Sequence, residues 1–131
     1  MNYKPILIVV GEPYSVFSEL IFKLFKSKKI KKLKNRFIFI GSIELLKKQM
    51  KSLHYKSTFN LINKDNFKNS DLKKNSMNII NVKFTFKKTF DKISSKSKNY
   101  IVKSFEIALK LLQKKKSICL INGPISKKHF L

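Results

Sequence analysis

Two short apolar runs constrain this chain more than any other feature. Pro5–Val10 (PILIVV) and Arg36–Ile40 (RFIFI) are continuous, rich in β-branched and aromatic residues, and each runs into a glycine, Gly11 and Gly41. An unbroken apolar run of this length is the pattern of a strand covered on both faces, the usual state in a parallel sheet. Behind each glycine a helical period begins. Across Ser15–Lys26, the residues Val16, Phe17, Leu20, Ile21, Leu24 and Phe25 recur on one face, with Ser15 placed to cap and Glu19 near the positive end. After Ser42, a second cap, Ile43, Leu46, Met50 and Leu53 repeat the pattern, with Glu44 in the first turn. Strand, glycine turn and helix, met twice in that order, predict right-handed βαβ units in a mainly parallel sheet.

The remaining chain continues the alternation. Lys26–Lys34 reads as a solvated basic connector, Lys56–Ile62 as a third strand and Asn63–Asn75 as a polar surface loop. Asn78–Phe86 (NIINVKFTF) alternates and predicts one or two strands, a hairpin being one option. The longest helix is expected from Ser94 or Ser95 to about Lys116, burying Ile101, Phe105, Ala108, Leu109 and Leu112, with Lys114, Lys115 and Lys116 at its negative end. Ser117–Ile121 is the last strand, closed by Asn122-Gly123-Pro124. Residues 1–131 make a single α/β domain of modest core. No apolar run nears the roughly 20 residues of a membrane span, and Ile6–Val10 is too short for a signal peptide's apolar region. The expectation is a cytoplasmic protein with no membrane partner.

Charge needs to be read against composition. The net charge of +23 comes from 30 basic and 7 acidic residues, and every basic residue but Arg36 is lysine. Arginine is the residue preferred for forked contacts to phosphates and bases. Lys, Asn, Ile and Phe abound, whereas there are three glycines, one alanine (Ala108) and no tryptophan. That skew is the mark of A/T-rich codons, so the lysines argue for solubility and not for a nucleic-acid partner. Two other function classes are kept beside the one reached below: a small basic α/β protein binding RNA or acidic partners, and a remnant with no function of its own. The single cysteine, Cys119, excludes an internal disulfide or a multi-cysteine zinc site, and its apolar setting predicts a buried, inert thiol.

Gly11, Gly41 and Gly123 all stand at the carboxyl ends of predicted strands, where open α/β sheets bind ligands. Gly41 reads as an ordinary tight turn. Gly11 and Gly123 are joined to prolines, in Gly-Glu-Pro and Asn-Gly-Pro, and such turns are stiff as well as tight. The candidate cleft is therefore lined by Gly11, Glu12, Pro13, Asn122, Gly123 and Pro124. Glu12 reads either as a site carboxylate or as a carboxylate serving the turn. Lys127 follows the second turn, either placed to meet an anionic substrate or simply solvated. His54 reads as a surface residue, and His129 has no partner visible in the sequence. No Walker loop, GxGxxG, HExxH or Ser-His-Asp set is present. The residues alone give a candidate site with no catalytic residue, no metal ligand and no reaction.

Those two turns and their flanks carry a resemblance. ILIVVGEPYSVFSELIFKLF (residues 6–25) resembles the first strand, Gly-(Asp/Glu)-Pro loop and first helix of the 4-hydroxythreonine-4-phosphate dehydrogenase family of pyridoxal phosphate (vitamin B6) biosynthesis. NYIVKSFEIALKLLQKKKSICLINGPISKKHFL (residues 99–131) is similar to that family's later helix with its tyrosine (Tyr100), then a strand and a (Thr/Asn)-Gly-Pro-x-x-Lys turn. The resemblance implies a partial isocitrate/isopropylmalate dehydrogenase-like fold. It implies an NAD-dependent oxidation and decarboxylation of a phosphorylated hydroxy-amino acid, with a divalent metal polarising the substrate and a homodimer as the assembly. Gly11, Glu12, Pro13, Gly123, Pro124 and Lys127 carry over as cleft-lining positions. Where the family's first loop continues Ala-Gly-Ile-Gly-Pro-Glu, this chain reads Tyr14-Ser-Val-Phe-Ser-Glu19, keeping only the acid in place. The family's two-domain members run to about 330 residues. Its Gly-His-Thr-Glu segment, its metal-binding histidines and most cofactor contacts follow the part matched here. The expectation is an incomplete domain, inactive until joined by a missing C-terminal part.

Overall fold

Both apolar runs fold as inner strands of one five-stranded sheet. In the computed structural model, residues 3–130 are described, the side chains of residues 129 and 130 excepted. The strands are β1 (Ile6–Val9), β2 (Phe37–Gly41), β3 (Thr58–Leu61), β4 (Ser76–Asn81) and β5 (Cys119–Asn122). The helices are α1 (Phe17–Lys26), α2 (Lys28–Lys31), α3 (Ile43–Ser52), α4 (Lys98–Gln113) and α5 (Lys127–Phe130). The order across the sheet is β3-β4-β2-β1-β5, and every neighbouring pair is parallel. The α/β class and parallel sheet expected from the alternation are thus present.

The sheet is covered on both faces, as continuous apolar strands require. Ile8, Val10, Phe39, Met77 and Ile79 pack with Ile21, Phe22, Leu46 and Met50 of α1 and α3. Leu7, Val9, Ile38, Ile40 and Ile80 pack with Tyr100, Ile101, Ala108 and Leu111 of α4. Each such side chain removed from water contributes about 1.5–3 kcal/mol. No helix among the described residues is long and apolar enough to cross a membrane.

Several expectations are corrected. Ser15 is not the cap of α1: Val16 holds that position, and the Ser15 Oγ accepts the Phe17 N–H at 3.2 Å. The α1 stripe is rotated, with Ser18, Ile21 and Phe22 buried while Val16, Leu20 and Leu24 are 71%, 54% and 48% exposed. Six apolar positions spread wider than a single helix buries against a sheet, and the sheet takes the edge centred on Phe22. On α4, Tyr100, Ser104 and Leu111 are buried with Ile101 and Ala108, and Leu109 is exposed. The small residues Ser104 and Ala108, one turn apart, let the helix lie close to the strands.

The basic connector contains the short helix α2, capped by Ser27. The Asn78–Phe86 stretch supplies one parallel strand, not a hairpin. Cys119 is exposed, because β5 is an edge strand paired with β1 alone among the described residues. An apolar sequence run does not reveal whether its strand lies inside the sheet or at its margin.

Candidate functional site

Adjacent strands bring the two proline turns together. β1 and β5 run parallel, with Ile6 opposite Cys119 and Val9 opposite Asn122, so Gly11-Glu12-Pro13 and Asn122-Gly123-Pro124 leave the sheet side by side. Backbone hydrogen bonds then interlock them. The Gly123 N–H donates to the Val9 carbonyl at 2.7 Å, and the Glu12 N–H donates to the Pro124 carbonyl at 2.9 Å.

The glycines are there for contact. Gly11 has φ +78°, and a Cβ on it would sit 2.7 Å from the Pro124 carbonyl oxygen. A Cβ on Gly123 would lie 2.2 Å from the Val10 carbonyl oxygen and 2.6 Å from the Phe17 ring. One turn needs the left-handed region and the other needs the empty space.

Glu12 is buried and faces inward. Its Oε2 accepts the Ser97 hydroxyl at 3.0 Å and its Oε1 accepts the Ser126 N–H at 3.2 Å. One carboxylate therefore ties the first turn to the entry of α4 and to the segment after the last turn. Each oxygen of the carboxylate is thus held by a protein donor. Pro13 contributes its carbonyl, which accepts from Gln49 Nε2 at 2.8 Å; the same nitrogen also reaches the Thr89 carbonyl at 3.1 Å. Asn122 bonds its own turn, Nδ2 to the Gly123 carbonyl at 2.9 Å. Lys127 opens α5 and is exposed, while the side chain of His129 lies outside the described residues. His54 is exposed at the end of α3, away from these turns.

Beside the pair, the carboxyl end of β2 is sealed. Ser42 caps α3 through its Oγ, which accepts the Leu45 N–H at 3.3 Å. The Ser42 N–H donates to the Tyr100 hydroxyl at 2.8 Å, and the Ile43 N–H donates to Asn81 Oδ1 at 3.0 Å. Donors that often greet an anion at a helix start are thus engaged by the protein itself.

Burial pushes the Tyr100 phenol well above its ordinary value, while the Ser42 hydrogen bond opposes the shift. An unfolded tyrosine ionises near pH 10. The folded chain holds its proton to higher pH, so this contribution to stability is complete below about pH 10 and is lost as pH rises beyond it. In an alkaline titration followed by phenolate absorbance, the Tyr100 phenol should ionise only as the chain unfolds. A Tyr100 phenolate formed in the still-folded chain would overturn this. Tyr100→Phe should remove that contribution and cost about 1–2 kcal/mol at neutral pH by orphaning the Ser42 N–H.

Sequence reasoning missed Ser97, Ser126 and Gln49. Gln49 carried a signal: it stands where an apolar residue belongs, in line with the buried Leu45, Leu46 and Met50. Ser97 and Ser126 carried none, being 85 and 114 residues from Glu12.

Comparison with known proteins gives a family and a fold. The profile of the family described as pyridoxal phosphate biosynthetic protein PdxA matches residues 32–131. That match takes in the middle of the chain and the second resembling block, and starts after the first. No curated protein matches. Solved structures similar to the chain include a 4-hydroxythreonine-4-phosphate dehydrogenase from Burkholderia phymatum (TM-score 0.82, 15% identity, 98% of this chain and 38% of that one). A putative one from Salmonella typhimurium has TM-score 0.79 and 13% identity, over 98% of this chain and 39% of that one. One from Klebsiella pneumoniae has TM-score 0.78 and 12% identity, over 96% and 38%. At these identities the likeness is one of fold, and the chain spans about two-fifths of the length of these relatives.

Proposed function

The chain belongs to the PdxA family of pyridoxal phosphate biosynthetic proteins, and from that membership we propose that it is the N-terminal, incomplete α/β domain of a 4-hydroxythreonine-4-phosphate dehydrogenase. In this reading the complete enzyme oxidises and decarboxylates a phosphorylated hydroxy-amino acid with NAD. The chain contributes one wall of the cleft: Gly11, Glu12, Pro13, Asn122, Gly123, Pro124 and Lys127. The observation that carries the reading is the interlocked pair of glycine-proline turns at the carboxyl ends of β1 and β5, where such sheets place ligands. Lys127, exposed just beyond the clasp, is the residue left to meet a phosphate.

The described residues do not fit the implied metal. No three His, Cys, Asp or Glu among them gather into a group able to hold an ion, and both oxygens of Glu12 are engaged. The metal donors and the nicotinamide contacts then belong to further polypeptide, supplied by a C-terminal part or by a second subunit. The margin of β5, unpaired among the described residues, supports this reading, with Ile118 and Ile121 63% and 48% exposed beside it.

The test replaces the matching N-terminal part of the Burkholderia phymatum relative with this chain. The expected result is NAD reduction by the chimera with 4-hydroxythreonine-4-phosphate, dependent on added divalent metal, and none by the chain alone. A chimera that unfolds cooperatively yet leaves NAD unreduced would sink the proposal.

A further inference from the structure

An apolar hollow lies at the other end of the sheet, among the amino ends of β3 and β4, and the function above does not use it. Its volume is about 510 Å³, within the range that holds small ligands. Phe22, Met50 and Met77, all buried, form the floor, and Phe25, Ile30 and Tyr55 form the walls. Methionine floors adapt to irregular apolar shapes. Lys26, Lys31, Lys56 and Lys74 stand around the mouth, and no acidic residue lines it.

The Tyr55 wall is prebuilt. At the end of α3, His54 takes φ +62°, its N–H donates to the Lys51 carbonyl at 3.2 Å, and the Tyr55 N–H reaches back to the Met50 carbonyl at 3.0 Å. This is the paired closure of a Schellman turn, made with histidine where glycine is usual. It turns the chain so that the Tyr55 ring meets Phe22 at 5.9 Å, and Lys26 Nζ stands 5.9 Å from the same ring. A strained residue thus fixes an aromatic wall beneath a cation.

We propose that this hollow binds an amphipathic carboxylate, its apolar body on Phe22, Met50 and Met77 and its charged head among the four lysines. Lysines alone would carry nothing in so basic a chain. The inference rests on their standing over an apolar floor with no counter-charge of the protein's own. Straight-chain and aromatic bodies both satisfy the floor, and the test separates them.

The experiment follows the ε-methyl resonances of Met50 and Met77 in the full chain, labelled at methionine, during titration with decanoate, 1-naphthoate and decan-1-ol. Saturable shifts at both methyls with either acid, at least about tenfold tighter than with the alcohol, are expected. Decanoate ahead would assign an acyl ligand, and 1-naphthoate ahead an aromatic one. The double substitution Lys56→Glu, Lys74→Glu, at exposed positions, should weaken acid binding about tenfold and leave the alcohol unchanged. Silent methyls with both acids, non-saturating shifts, or an alcohol that binds as tightly as the acids would overturn the proposal.

Discussion

Gly123→Ala should cost about 3 kcal/mol or more, a large share of the roughly 5–15 kcal/mol that holds a domain of this kind together. The added methyl has no room to turn into. It would stand 2.2 Å from the Val10 carbonyl oxygen, and Val10 is held through its own N–H to Ile40 in β2. Moving Gly123 instead breaks its 2.7 Å bond to Val9, at the end of β1. Gly11→Ala should cost somewhat less, about 2–3 kcal/mol, from the left-handed backbone and the Pro124 oxygen together. At Gly41 the neighbours a methyl meets are side-chain atoms of Tyr100 and Val10, which yield more easily than backbone. Urea unfolding should therefore rank Gly123 above Gly11 above Gly41. A Gly123→Ala chain within about 0.5 kcal/mol of the parent would contradict the clasp described here.

Glu12→Ala should destabilise by about 2–4 kcal/mol, because it orphans one backbone donor and leaves a void where the buried carboxylate stood. The Ser126 N–H loses its acceptor outright, and the Ser97 hydroxyl keeps only the Ser94 carbonyl at 3.0 Å. Glu12→Gln keeps one oxygen but turns an amide donor toward donors, so an intermediate loss of about 1–2 kcal/mol is expected. The half-buried Glu19, whose ion pair with Lys23 measures 3.7 Å, is the contrast: Glu19→Ala should change stability by less than about 0.5 kcal/mol. Equal losses at Glu12 and Glu19 in the same unfolding assay would show that Glu12 is not the tie between the three segments.

The sheet was legible because β1 and β2 have no polar face, and that pattern belongs to strands covered on both sides. The two turns were legible because glycine and proline are scarce here, so their pairing at strand ends stands out. The face α1 turns inward was not legible: Val16, Leu20 and Leu24 are as apolar as the buried Ile21 and Phe22, and only the tilt of the packed helix chooses between them. The exposed thiol of Cys119 was missed for a related reason, since sheet order sets which strand is an edge. What surrounds Glu12 could not be read at all. A serine before α4 and a serine after the last turn become its partners only once the whole β1–β5 pairing exists.

That pairing also sets a clock. Ile6 opposite Cys119 joins the first strand to the last across about 110 residues of chain, a loop whose closure costs about 4 kcal/mol of chain entropy before any contact rewards it. Contacts of such long range slow folding. During synthesis at about 5–20 residues per second, β1 waits about 6–20 s for its second neighbour to be made. Through that interval its outer margin is open to any extended segment nearby. The clasp of Gly11 and Gly123 therefore cannot form before β5 has been made, and β1 is at risk of mispairing until it closes.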